Sequence, residues 1–177
     1  MMEYKNRKRL RLQGYDYSCS GAYFVTICTQ NREKIFGNVG ADSISARMIA
    51  ETYEKIISDY KDVFCPNYVI MPNHFHAIIV IEKDINDNKA GVKQADTESR
   101  ADIESAPTLS EIIQSFKRYL TLEYIKLVKQ GVLPPFYKRI WQRSYHDHII
   151  RNDKEFQTIY KYIDENPINW ETDCFYC

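Results

Sequence analysis

Asn67-Tyr-Val-Ile-Met71-Pro72-Asn73-His74-Phe75-His76-Ala77-Ile78-Ile79-Val80-Ile81-Glu82 is the stretch on which the reading of this chain turns. It holds two apolar runs, 67–71 and 74–82, split by Pro72-Asn73. Runs this short, rich in Val and Ile and broken by a turn-forming pair, predict a hairpin of two buried strands. On a strand, residues i and i+2 project from one face with Cα atoms ~6.5–7 Å apart. His74 and His76 therefore stand side by side, and Phe75 turns into the packing on the other face. That spacing suits two imidazoles closing on one cation; the alternative is a pair of buried histidines satisfied by hydrogen bonds. Two histidines opening an otherwise apolar run favour the metal, and two imidazoles alone leave coordination positions open, as catalysis requires.

Working outward, Tyr23-Phe-Val-Thr-Ile-Cys-Thr29 is β-branched and aromatic and reads as a strand. Residues 43–60 carry Ile44, Met48, Ile49, Tyr53, Ile56 and Ile57 at three- and four-residue steps, an amphipathic helix. Residues 84–107 hold no aromatic side chain and many Asp, Asn, Lys, Ala and Ser, so they read as a flexible insertion. After Pro107, with Thr108 or Ser110 as cap, Leu109, Ile112, Ile113, Phe116 and Leu120 mark a helix over 109–130 that Gly131 stops. Pro134-Pro135 is a loop, 140–150 a further strand, and 152–165 a last helix closed by Pro167. The order strand, helix, strand, strand, helix, strand, helix predicts an α+β sandwich of ferredoxin-like type, a mainly antiparallel sheet with helices packed on it. The whole of 1–177 reads as a single domain with a basic N-terminal arm (1–20) and the insertion.

With 177 residues, 44% of them apolar and 27% charged, the chain is neither largely disordered nor a low-complexity fibre. No apolar run approaches the ~20 residues of a membrane span. The first dozen residues hold no apolar stretch that could act as a secretory signal, so a cytoplasmic protein is expected. Lys+Arg and Asp+Glu cancel at 24 each. The total hides two positive regions: an arm with Lys5, Arg7, Lys8, Arg9 and Arg11, and the stretch 115–151. Such regions can face a polyanion. Five cysteines, an odd number in no secretory context, read as ordinary thiols, Cys174 and Cys177 included.

In the last helix Phe156, Ile159, Tyr160 and Ile163 form the core stripe. Tyr162 lies roughly 120° from its centre. Asn166 stands one turn on from Tyr162, and Glu155 two turns back on the same flank. On these residues alone Tyr162 is either a surface tyrosine or a nucleophile, since nothing in one sequence brings it to His74 and His76. A phenol of ordinary pKa is a poor nucleophile at neutral pH, and a divalent cation would favour the phenolate.

Met-Pro-Asn-His-Phe-His at 71–76 resembles the HUH motif (His, hydrophobic, His) of single-tyrosine transposases. The resemblance runs over nearly the whole chain. It takes in Arg-Leu-Gln-Gly-Tyr-Asp-Tyr at 11–17, Gly-Ala-Tyr-Phe-Val-Thr-Ile-Cys-Thr-Gln-Asn-Arg at 21–32 and Ala-Pro-Thr-Leu at 106–109. Trp-Gln-Arg-Ser-Tyr-His-Asp-His-Ile-Ile-Arg-Asn at 141–152 and Tyr-Ile-Asp-Glu-Asn-Pro at 162–167 extend it further. Within these enzymes the chain is most similar to the REP-associated tyrosine transposases. The resemblance implies the HUH nuclease fold, with His74 and His76 as metal ligands, Tyr162 as nucleophile and Asn166 completing the metal site. It implies a Mg²⁺ or Mn²⁺ enzyme that cuts single-stranded DNA near a hairpin through a 5′-phosphotyrosine and rejoins it, as a monomer or a homodimer. His148 fits the family pattern, whereas His146 stands where relatives often have an aromatic residue.

For DNA the sequence offers Arg139, Arg143 and Arg151 as phosphate contacts, Trp141 among the interleaved aromatics, and Arg7, Arg9 and Arg11 of the arm. Two other classes fit the same residues. One is a catalytically silent protein that binds DNA hairpins. The other is a zinc site built from all four histidines, His74, His76, His146 and His148.

Overall fold

The structure, a computed structural model, describes residues 15, 17, 20–37, 43–82 and 107–176. The expected arm residues Arg7, Arg9 and Arg11 and nearly all of the insertion lie outside the described residues. The elements follow the predicted order: β1 (Gly21–Cys28), α1 (Ile44–Ser58), β2 (Val63–Met71), β3 (His74–Ile81), α2 (Leu109–Lys129), β4 (His146–Ile150) and α3 (Asp153–Glu165).

Three antiparallel pairings order the sheet β2-β3-β1-β4, which is the ferredoxin-like arrangement. β2 and β3 form the expected hairpin around Pro72-Asn73, with Met71 opposite His74. β2 starts earlier than the apolar run suggests, and Pro66, which has no N–H to give the ladder, sits at the register shift between Phe64 and Asn67.

Alternation along the strands sorts the side chains into two cores. Tyr23, Val25 and Ile27 of β1 and Phe75, Ala77, Ile79 and Ile81 of β3 pack under α1 and α2. Its centre is aromatic: Phe116 meets Tyr53, Phe75 and Trp141 with ring centroids 5.4, 5.1 and 5.7 Å away. The opposite face is thinner. There Ile78 and Ile150 meet Ile163 of α3, flanked by Phe156, Ile159 and Tyr160, the stripe read from the sequence.

Caps fix the helix starts. Ser43 accepts from Ala46 N at the head of α1. Thr108 and Glu111 form a reciprocal capping box on α2, and Asn152 caps α3. Gly131, at φ +73, follows the end of α2 in a left-handed conformation that glycine adopts without strain.

One predicted strand is shorter than expected. Residues 140–145 do not join the sheet except for a single bridge between Trp141 and Thr29. Lys117 of α2 holds this segment instead, its Nζ donating to the carbonyls of Gln142 (3.0 Å) and Ser144 (2.9 Å). Only 146–150 continues as strand.

Candidate metal centre and tyrosine

His74 and His76, the first and third residues of β3, project toward the α3 side of the sheet, and both are buried, at 0% and 1% exposure. Their rings lie 4.4 Å apart, centroid to centroid. Each is aimed through its Nδ1. That of His74 is 2.8 Å from Asn73 Oδ1, and that of His76 is 2.8 Å from Thr26 Oγ1 on β1. Hydrogen bonds at Nδ1 fix the ring planes and leave the Nε2 atoms facing the space under α3. Burial lowers the pKa of His74 to about 4 and that of His76 well below the ordinary value. Both rings are thus neutral at pH 7, the form that offers a lone pair to a cation.

α3 crosses this pair. Tyr162, 41% exposed and off the core stripe, reaches down so that its hydroxyl is 3.5 Å from His76 Nε2. Phe24 braces both groups, with its ring 5.2 Å from His76 and 5.9 Å from Tyr162. Asn166, which caps the end of α3, is buried in the same space. The structure therefore brings Tyr162, Asn166, His74 and His76 together.

The sequence reading missed one member. Asp173 lies beyond α3, where a 3-10 turn over Trp170–Thr172 folds the chain back over the histidines. Its Oδ2 accepts from Asn166 Nδ2 at 2.8 Å, lies 3.9 Å from His74 Nε2 and is 3.5 Å from the Tyr162 hydroxyl. Phe175 N donates to its Oδ1 at 2.6 Å. No periodicity or spacing rule ties an acid eight positions past a helix end to a strand pair ninety-seven and ninety-nine residues earlier. Two acidic residues, Glu171 and Asp173, lie between Trp170 and Phe175, and nothing along the chain distinguishes them.

The expected carboxylate of this flank, Glu155, is used elsewhere. It accepts from Arg151 N and lies 2.7 Å from His148 Nε2. That pairing, with His146 and His148 both exposed, corrects the four-histidine zinc reading. Among the described residues the group that could hold a metal is His74, His76 and Asp173, whose donor atoms lie within 4.8 Å of one another. The donor set fits a divalent cation on its own evidence: His74 Nε2 and Asn166 Oδ1 are buried atoms with no hydrogen-bond partner. Buried polar atoms are rarely left so, and two of them beside a buried carboxylate suit a cation that takes nitrogen and oxygen donors.

Tyr162 itself is pushed up to about 12, first by burial and then by the Asp173 charge. Without a cation the phenol keeps its proton.

Of the residues read as DNA contacts, Arg139, Arg143 and Arg151 are exposed. Trp141 is not available. At 6% exposure its ring packs on Phe36 and Phe116, and its Nε1 donates to Lys117 O, so the core has taken it.

No family model matches the chain. A protein of Haemophilus influenzae described as an uncharacterized protein is 31% identical over 175 residues, covering 97% of this chain and 93% of that one. The chain belongs to the same family as this Haemophilus protein. Among solved structures, the REP-associated tyrosine transposase bound to a REP hairpin is similar at 20% identity and a TM-score of 0.49, over 96% of this chain and 74% of that one. A protein of Deinococcus radiodurans R1 described as a candidate transposase is similar at 12% identity and a TM-score of 0.46, over 88% of this chain and 95% of that one.

Proposed function

We propose that the chain is a metal-dependent enzyme of the HUH transposase class that nicks and rejoins single-stranded DNA near hairpins through Tyr162. The reading rests on one observation: the Tyr162 hydroxyl lies 3.5 Å from His76 Nε2 within a buried set of donors. The motif resemblance from 11–17 to 162–167 agrees with it.

His74, His76, Asn166 and Asp173 are the residues that would hold the cation. Bound there, Mg²⁺ or Mn²⁺ would supply positive charge that favours a phenolate and polarises a phosphoryl oxygen. Tyr162 Oη then attacks phosphorus while the bond from phosphorus to the 3′ oxygen breaks. The phenol proton leaves to solvent as the phenolate forms, and a solvent proton meets the leaving 3′ oxygen, so the exchange balances. One phosphodiester is exchanged for another, so the reverse attack by the 3′-hydroxyl needs no external energy source. Phe24 and the Thr26 hydrogen bond keep the His76 ring and the phenol in register. Exposed Arg139, Arg143 and Arg151 are offered to the DNA backbone.

The test is incubation with a hairpin-bearing single strand and Mn²⁺, read on a denaturing gel. Wild type should give a covalent protein–DNA adduct and Tyr162→Phe none. An adduct that persists in Tyr162→Phe overturns the assignment. Tight hairpin binding without any adduct, in every divalent metal, selects the silent binding protein instead.

A further inference from the structure

Outside that group of donors, a charged cluster stands at the end of β1. There the chain turns through Gln30–Arg32, and Asn31 (φ 55) and Arg32 (φ 57) both adopt the left-handed region, uncommon for residues with a Cβ. The turn throws Arg32 and Lys34 against the segment that carries Asp173. Arg32 Cζ sits 5.5 Å over the Phe175 ring, and its Nη1 donates to the Cys174 carbonyl at 3.2 Å. Lys34 Nζ lies 5.1 Å from the Tyr176 ring and 6.0 Å from that of Trp170. Phe175 and Trp170 in turn reach His74, with ring centroids 4.8 and 5.8 Å from it. Two cations alternating with three aromatic rings, running outward from the histidines, have the composition of a single-strand DNA surface: charge for phosphates and ring faces for bases.

We propose that Arg32 and Lys34, with Trp170, Phe175 and Tyr176, form the subsite for the strand that leaves with the free 3′-hydroxyl. This rests on the nicking reading and adds the position of the second product. The order along the sheet carries it. Tyr162 stands over Phe24 and His76. His74 pairs with Cys28, the last residue of β1, and the Arg32 turn follows directly. The sequence in space is Tyr162, His76, His74, Arg32. An in-line displacement puts the attacking and leaving oxygens on opposite sides of phosphorus. With Tyr162 at one end, the 3′ oxygen and the strand behind it emerge at the other, onto Arg32 and Lys34. Holding that strand keeps the 3′-hydroxyl ready for the reverse attack and prevents a nick from becoming a break.

The test uses a labelled eight-nucleotide oligo-dT with a free 3′-hydroxyl, measured by fluorescence anisotropy over a salt series. Arg32→Ala with Lys34→Ala should weaken binding by about tenfold or more. It should also flatten the log–log salt slope by about 1.4, two single-strand phosphate contacts at about 0.7 each. Lys55→Ala with Lys61→Ala removes the same charge at α1 and at the turn that follows it, and should change neither. Arg32→Lys, which keeps the charge, should recover part of the loss. On preformed adduct, the KM of the 3′-hydroxyl strand for rejoining should rise in the double variant. Equal affinity, slope and KM in wild type and the Arg32/Lys34 variant overturn the subsite while leaving the adduct chemistry intact. Failure of wild type to form any adduct removes the catalytic reading, and with it the leaving-strand role.

Discussion

The hydroxyl of Tyr162 stands 3.5 Å from His76 Nε2 and 3.5 Å from Asp173 Oδ2, so one phenol joins a helix, a strand and the segment after the helix. Asp173 is the negative charge of the group, and its carboxylate both faces the histidine nitrogens and raises the phenol's pKa. Asp173→Asn keeps an oxygen for Asn166 Nδ2 but removes the charge that would attract a cation. Mn²⁺ affinity, measured by calorimetry, should fall by more than about tenfold. The thermal stabilisation that Mn²⁺ gives wild type should shrink with it.

Thr26 never touches the donor space, yet its hydroxyl fixes the His76 ring. Thr26→Val should weaken Mn²⁺ binding by about 10–100-fold, as loss of an orienting partner does. It also strands a buried imidazole nitrogen, at about 1–3 kcal/mol of stability, measurable by urea unfolding without metal.

Phe116 is fully buried between Tyr53, Phe75 and Trp141. Phe116→Ala should lower unfolding free energy by about 3–5 kcal/mol. Urea melts followed by circular dichroism would check this, with Tyr119→Ala on the exposed side of α2 changing little.

Burial lowers the pKa of Lys117 to about 8. A lysine with a depressed folded pKa is protonated more readily in the unfolded chain between that value and about 10.4. The unfolded state then binds more protons, and stability rises with pH across the window. Stability of wild type relative to Lys117→Met should therefore climb from pH 7.5 to pH 10. A flat difference would show that the ammonium is not desolvated on folding.

The element order was legible because each element announces itself locally. The Leu109-to-Leu120 periodicity, the Thr108 and Glu111 box, and the paired apolar runs around Pro72-Asn73 depend only on neighbours along the chain. The histidine pair was legible for the same reason, since strand alternation alone sets His74 beside His76. Trp141 misled because an aromatic among basic residues looks the same whether it faces solvent or core, and only the packing of Phe36 and Phe116 decides. Residues 140–145 alternate like a strand, but Lys117 Nζ takes the carbonyls of Gln142 and Ser144, and only the Trp141 bridge to Thr29 joins the sheet.

By itself, then, the sequence determined the strands and helices, the antiparallel α+β plan, the adjacency of His74 and His76, and the off-stripe position of Tyr162. The tertiary structure alone decided that the phenol meets His76, that Asp173 returns to the same space, that Glu155 goes to His148, and that Arg32 and Lys34 flank the far end. The difference is physical. Alternation and helical period are set by backbone geometry over a few residues. Convergence of side chains up to about a hundred positions apart is set by how α3 and the segment after it pack against the sheet.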